Sequence, residues 1–166
     1  MFIKETYKNK LSIPRINKLV IESSGSSYTE GERFPSSLFA LELLSMQKPI
    51  IIEAKRSVSE FKLREGQHIG SKVTLRGLDM YNFLIFTIMS AMPRVSDTIT
   101  VHCNRKTLLY STLSIGLNDI SIYPQIEYEY DNIGSKIGLN IHVISSCLTG
   151  LEHKYLLSCL QTPLIL

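Results

Sequence analysis

The chain has 166 residues, of which 44% are hydrophobic and 20% charged, and a net charge of +3 at pH 7. That length suits one domain, able to bury about two-thirds of its unfolded surface without disulfides or metals. Three widely spaced cysteines, Cys103, Cys147 and Cys159, exclude a zinc ribbon or a C-x-x-C redox pair and read as reduced small hydrophobes in a reducing compartment.

The charge is unevenly spread. Residues 1–20 carry +4, residues 48–77 carry another +4, and the remainder sums to −5. Two basic segments on an acidic body fit a side that faces a polyanion, and equally a solvated face. The N-terminus has neither the apolar core of a secretory signal nor the Arg-rich, acid-free pattern of a transit peptide. Abundant Ile, Asn, Lys and Tyr with no Trp match an AT-rich coding sequence, as in many organelle genomes.

Ile13 to Ile21 read as a strand entered from a proline-containing turn, and Ser23 to Arg33 as a loop. A helix opens at Phe34-Pro35-Ser36. Leu38, Leu41 and Leu44 recur at threes with Phe39 and Leu43 alongside, and Gln47-Lys48-Pro49 ends it. Ile50 to Ile52 form a β-branched strand. Lys55 to Leu63 are a polar connector containing Phe61, followed by a glycine-bearing loop projecting over 66–72. Lys72 to Leu75 alternate as a strand, and Gly77 breaks it.

Leu78 to Met92 form a buried helix, interrupted by Asn82, Thr87 and Ser90, stopped by Pro93, and too short to span a bilayer. Strands follow at Thr98 to Val101, Thr107 to Ile115, Ile120 to Tyr123 and Ile137 to Ile144. Leu151 to Leu160 make a last helix with apolar Leu156, Leu157 and Leu160. No βαβ rhythm appears. The expected fold is a single α+β domain over residues 1–166, with a mostly antiparallel sheet and helices on one face. Ile51, Val73, Leu75, Phe83, Leu84 and Ile141 are the predicted core.

The loop REGQHIGSKVTLRG, Arg64 to Gly77, admits three readings. A nucleotide-binding loop would use Gly66, Gly70 and Lys72. However, the glycines are one residue too close, the Ser-Lys order is reversed, and a strand follows where a phosphate site needs a helix N-terminus. An acid/base site built on Glu53, Glu60, Glu65 and His68 has nothing to fix it on one face, and each carboxylate neighbours a Lys or Arg. A contact loop for RNA fits better: the glycines let backbone approach a partner, and Lys62, Arg64, Lys72 and Arg76 can meet phosphates. An ordinary hairpin with solvated lysines, or a generic protein-interaction domain, remains the plain alternative.

Residues 47–77, QKPIIIEAKRSVSEFKLREGQHIGSKVTLRG, closely resemble the family of large-ribosomal-subunit protein five, which accompanies 5S rRNA in the central protuberance. Weaker echoes run through Ile13-Pro14-Arg15-Ile16-Asn17-Lys18, Met80 to Leu84, Pro93 to Asp97 and Ile122 to Tyr128. The resemblance implies a structural protein of the large subunit with no catalytic activity, cofactor or metal. It implies rRNA contacts, to 5S rRNA where present and to large-subunit rRNA, from Arg15, Lys18, Lys48, Lys55, Arg56, Ser57, Lys62, Arg64, Thr74 and Arg76. It implies that Gly66, Gln67, His68, Ile69, Gly70, Ser71 and Lys72 reach the elbow of P-site tRNA, and that a small-subunit head protein is met across an intersubunit bridge; no membrane is involved.

The chain also departs from the family pattern. Only 12 residues precede Ile13, fewer than the family's N-terminal helix occupies. Glu22 stands where an RNA-facing Asn is expected, His68 replaces a proline, and His102 to Thr107 replace a glycine-rich segment. Divergence of this kind resembles an organellar member, encoded in a mitochondrial genome, or otherwise in another organelle or a bacterium.

Overall fold

The computed structural model describes residues 9–24, 33–95, 101–102, 112–133, 137–147, 149–162 and 164–165. Five antiparallel strands make the main sheet. They are β1 (Ile16–Ser24), β2 (Ile50–Glu53), β3 (His68–Leu75), β5 (Thr112–Leu117) and β6 (Leu139–Ser145), in the order β2-β3-β1-β6-β5. A second, two-stranded parallel pair joins β4 (Val101–His102) to β7 (Leu164–Ile165). The helices are α1 (Arg33–Ser45), α2 (Gly77–Phe86), α3 (Pro124–Tyr128), α4 (Tyr130–Ile133) and α5 (Gly150–Cys159). This is the expected α+β class. The expected strand residues 98–100 and 107–111 lie outside the described residues.

Alternation sets the two faces of the sheet. Leu19, Ile21, Val73, Leu75, Leu113, Ile115, Leu117, Leu139, Ile141 and Val143 are buried on one face, packed with Leu41 and Leu44 of α1, Met80, Phe83 and Leu84 of α2, and Leu157 of α5. The intervening residues, among them Lys18, Val20, Glu22, Lys72, Thr74, Asn140, His142 and Ser114, remain half or fully exposed. One face is therefore the core and the other is open.

Five of the six predicted core residues are buried; Ile51 is not, at 41% exposed. β2 is an edge strand, and Ile51 pairs only with Ser71 of β3. Its apolar run signals β-propensity, but an edge position leaves it without cover.

Other boundaries shift for local reasons. β1 runs on through Ser23 and Ser24, which read as loop, because Ser71 and Gly70 of β3 pair with them. β3 starts four residues earlier than expected, at His68. Ile120 to Tyr123 is not a strand. Asp119 Oδ1 accepts the Ser121 N–H at 2.9 Å, closing a 3-10 turn, and Pro124 opens α3 at its first position. Side-chain capping and proline outweigh the propensity of I-S-I-Y.

The expected helix over 78–92 is α2 followed by a π-helical turn, Thr87–Ala91, and a 3-10 turn, Met92–Arg94. Thr87 Oγ1 donates to Phe83 O at 2.8 Å and lies 3.0 Å from the Tyr123 hydroxyl. Tyr123 is fully buried between Phe83 and Phe86, both at ring-centroid distances of 6.0 Å. Burial pushes its phenol far up, so it stays a neutral hydrogen-bonding group. Thr149 and Glu152 form a capping box at α5. His153 then sits buried, its Nδ1 2.7 Å from Ser145 Oγ on β6.

Candidate nucleic-acid interface

The sheet divides the basic residues into two groups. β1 and β3 are antiparallel, with Leu19 opposite Leu75 and Ser24 opposite Gly70. Arg15, Lys18, Thr74 and Arg76 therefore lie at one end of this strand pair. The connector between β2 and β3, residues 54–67, leaves from the other end, roughly 23 Å away along an eight-residue strand. Lys55, Arg56, Ser57, Lys62 and Arg64 are exposed on this connector. Lys48 is exposed in the turn before β2, and Lys72 lies mid-strand on the open face.

Hydrogen bonds shape the connector. Ala54 N donates to Gln67 O at 2.8 Å and Gly66 N to Ala54 O at 3.0 Å, closing its base. Val58 and Leu63 exchange both backbone bonds at 3.0 Å, so Ser59, Glu60, Phe61 and Lys62 form its outer turn. Lys62 takes a left-handed φ of 51° there. Glu65 N donates to Ser57 Oγ at 3.0 Å, and Arg64 N to Gln67 Oε1 at 3.1 Å. These bonds hold the backbone while the side chains of Lys55, Arg56, Lys62 and Arg64 remain in solvent.

The contact loop expected over 66–72 is thus split. Gly66 and Gln67 belong to the connector, whereas His68 to Lys72 are strand residues: His68 pairs with Glu53 of β2, Ile69 lies at a register shift, and Gly70, Ser71 and Lys72 pair with both β2 and β1. Ser71 is fully buried and Gly70 is enclosed in the sheet, so neither offers a side chain to a partner. The two glycines also differ in role. Gly66 has φ +79° with open space around it and makes a turn. Gly70 has an ordinary φ; a Cβ there would stand 2.7 Å from Ser23 O, so it permits close strand approach. The aromatic of the connector stands out at the outer turn: Phe61 is 70% exposed.

The ion pairs among the described residues bypass the connector cations. Glu53 faces His68 Nδ1 at 3.8 Å, Arg94 binds Glu127 at 2.8 Å, and Glu22 lies 3.8 Å from His142 Nε2. The Lys or Arg partners expected for Glu53, Glu60 and Glu65 are not among the ion pairs of the described residues; Glu53 makes this loose approach to His68 instead. Glu22, already marked in the sequence as a departure from the family pattern, is joined on the open face by Asn140, His142 and Ser114, which were not singled out; strand register, absent from a linear reading, brings them together.

Nothing among the described residues resembles a reaction site. The amides of Gly66 and Gly70 lie in connector and sheet, with a strand after them. A groove of about 280 Å³ between α1 and α2 has Asp79 as its one acidic or basic lining residue. No helix among the described residues is long and apolar enough to cross a membrane.

Residues 68–164 match the family model for the C-terminus of the ribosomal L5 protein family. The chain belongs to the uL5 family of large-ribosomal-subunit proteins. Its relatives include "Large ribosomal subunit protein uL5" of Mycoplasma capricolum, 37% identical over 166 residues, covering 98% of this chain and 89% of that one. "Large ribosomal subunit protein uL5m" of Reclinomonas americana is 36% identical over 165 residues, covering 99% and 90%. The uL5 of Limosilactobacillus reuteri strain DSM 20016 is 35% identical over 161 residues, covering 96% and 88%. Membership makes the chain a structural constituent of the ribosome and not an enzyme, associating with rRNA and other ribosomal proteins. The nucleotide-enzyme reading is thereby set aside.

Proposed function

We propose that this uL5 protein holds RNA at two places in the central protuberance. The open sheet face, with Arg15, Lys18, Thr74 and Arg76 at one end and Lys72 along it, lies on rRNA together with Lys48 of the turn before β2: 5S rRNA where the ribosome has one, and adjoining large-subunit rRNA. The connector 54–67 reaches P-site tRNA, its contact carried by Lys55, Arg56, Ser57, Lys62, Arg64, Gly66, Gln67 and His68, with Ile69 behind them.

The observation that carries this reading is the connector itself. Its backbone is tied by internal hydrogen bonds, yet four cations on it are exposed and outside the ion pairs of the described residues. Such cations suit phosphate contact, which positions RNA by shape and charge. The exposed Phe61 adds a flat apolar surface for a ribose or base.

Neighbouring ribosomal proteins belong to the same proposal, among them a small-subunit head protein across an intersubunit bridge. Leu78, Tyr81, Ile85 and Met89 form an exposed apolar stripe along α2 and its π turn, which supports a protein-facing side. The compartment we propose is a mitochondrial ribosome, supported by the uL5m relative and the AT-biased composition. Replacing Ser59 to Lys62 by a Gly-Ser turn and measuring tRNA dissociation from assembled ribosomes tests the connector. Faster P-site release at full incorporation supports it; an unchanged rate contradicts it.

A further inference from the structure

We infer that Glu22 determines what the open sheet face recognises: its carboxylate accepts hydrogen bonds from donor groups of the RNA, a base N–H edge or a ribose 2′-hydroxyl. This rests on the rRNA reading above. Glu22 lies on the central strand β1, in register with Lys72 on β3 and Asn140 on β6. Its side chain is 40% exposed on the open face of the sheet. A carboxylate repels phosphate at short range. One placed mid-face therefore either weakens RNA binding or meets something other than phosphate.

The surroundings favour the second. His142 Nε2 is 3.8 Å from the Glu22 carboxylate, too far for a hydrogen bond, while Ser114 Oγ holds His142 Nδ1 at 2.7 Å. The imidazole thus fixes the wall beside Glu22 without consuming its oxygens. Among the described residues no hydrogen-bond donor engages that carboxylate, so both oxygens keep their acceptor capacity. Lys72 beside it can take a phosphate, while Asn140 can both donate and accept. A carboxylate losing water to RNA must regain hydrogen bonds, and only N–H or O–H groups supply them. The N1–H and N2–H pair of guanine would engage both oxygens; a 2′-hydroxyl would engage one.

The test uses the full chain as wild type, Glu22→Ala and Glu22→Gln. Two probes serve, a bacterial 5S rRNA transcript and protein-free large-subunit rRNA, with affinity followed over a salt series. Glu22→Ala should weaken binding about tenfold with an unchanged salt slope, and Glu22→Gln should lie between. Transcripts sparsely substituted with inosine, which lacks the N2 amine, or with 2′-deoxy nucleotides locate the partner. One interfering position for the wild type should vanish with Glu22→Ala; inosine interference assigns the base edge and deoxy interference the ribose. Equal or tighter binding by Glu22→Ala, with a steeper slope, overturns the inference and makes Glu22 a mere repellent. An interference pattern identical in all three proteins overturns it too. Failure of the wild type to bind either RNA overturns the rRNA reading itself, and this inference with it.

Discussion

Gly70 and Ser23 approach so closely across β3 and β1 that no side chain fits between them: a Cβ on Gly70 would stand 2.7 Å from the Ser23 carbonyl oxygen. Backbone cannot yield as a flexible side chain does. Gly70→Ala should therefore destabilise the chain by about 1–3 kcal/mol, the range for overpacking. Gly66→Ala meets open space but keeps φ +79°, so it should cost about 1 kcal/mol. Urea unfolding of the two variants checks the order; equal midpoints would mean that the strands separate freely at Gly70.

Leu84 and Ile51 are the paired test of the core. Leu84 is 5% exposed beneath the sheet, and Leu84→Ala should cost about 2–5 kcal/mol. Ile51 is 41% exposed on the edge strand, and Ile51→Ala should cost less than about 1 kcal/mol. Comparable losses would place Ile51 in the core, as its sequence suggests.

Much of the fold was legible because strong periodicity survives in single elements. Leu41 and Leu44 mark the inner side of α1, and Leu139, Ile141 and Val143 the inner side of β6. What a linear reading lacks is the partner strand. Ser23 and Ser24 look like loop until Ser71 and Gly70 complete their ladder. Gly70 looks like part of a contact loop until Ser23 is placed against it, and Ile51 looks buried until β2 proves to be an edge. The candidate interface follows the same pattern. Its cations were visible as residue types, but their division between two ends of the sheet, and the meeting of Glu22 with His142, exist only in register.

The Thr87–Tyr123 contact gives a third prediction. Thr87→Val leaves the buried Tyr123 hydroxyl without that partner and should cost about 1–3 kcal/mol. Adding Tyr123→Phe removes the stranded hydroxyl, so the double variant should lose less than the sum of the singles. Additive losses in thermal unfolding would show that the hydroxyls do not interact.

Stability should also depend on pH through His153. Burial lowers its pKa below the ordinary 6.5, so the unfolded chain binds the proton more readily than the folded one. The penalty is absent above pH 6.5 and grows as pH falls below it. The urea midpoint should drop from pH 7.5 to 5.5, and His153→Gln should flatten that dependence. An equal drop in both proteins would place the proton uptake elsewhere.

RNA binding by the purified chain should be mainly electrostatic. If about six phosphates are neutralised, log K should fall with log salt at a slope of about −4 to −5. Removing Lys55, Arg56, Lys62 and Arg64 together should flatten the slope for any RNA that the connector touches. A slope near zero in the wild type would exclude this mode of binding.

The most direct measurement is the position and copy number of the chain in a sucrose gradient of ribosomal subunits from its own source. Quantitative mass spectrometry across the fractions should find it with the large subunit, at about one copy per particle, and absent from free small subunits. Recovery at the top of the gradient, or at far less than one copy per large subunit, would contradict its role as a structural constituent.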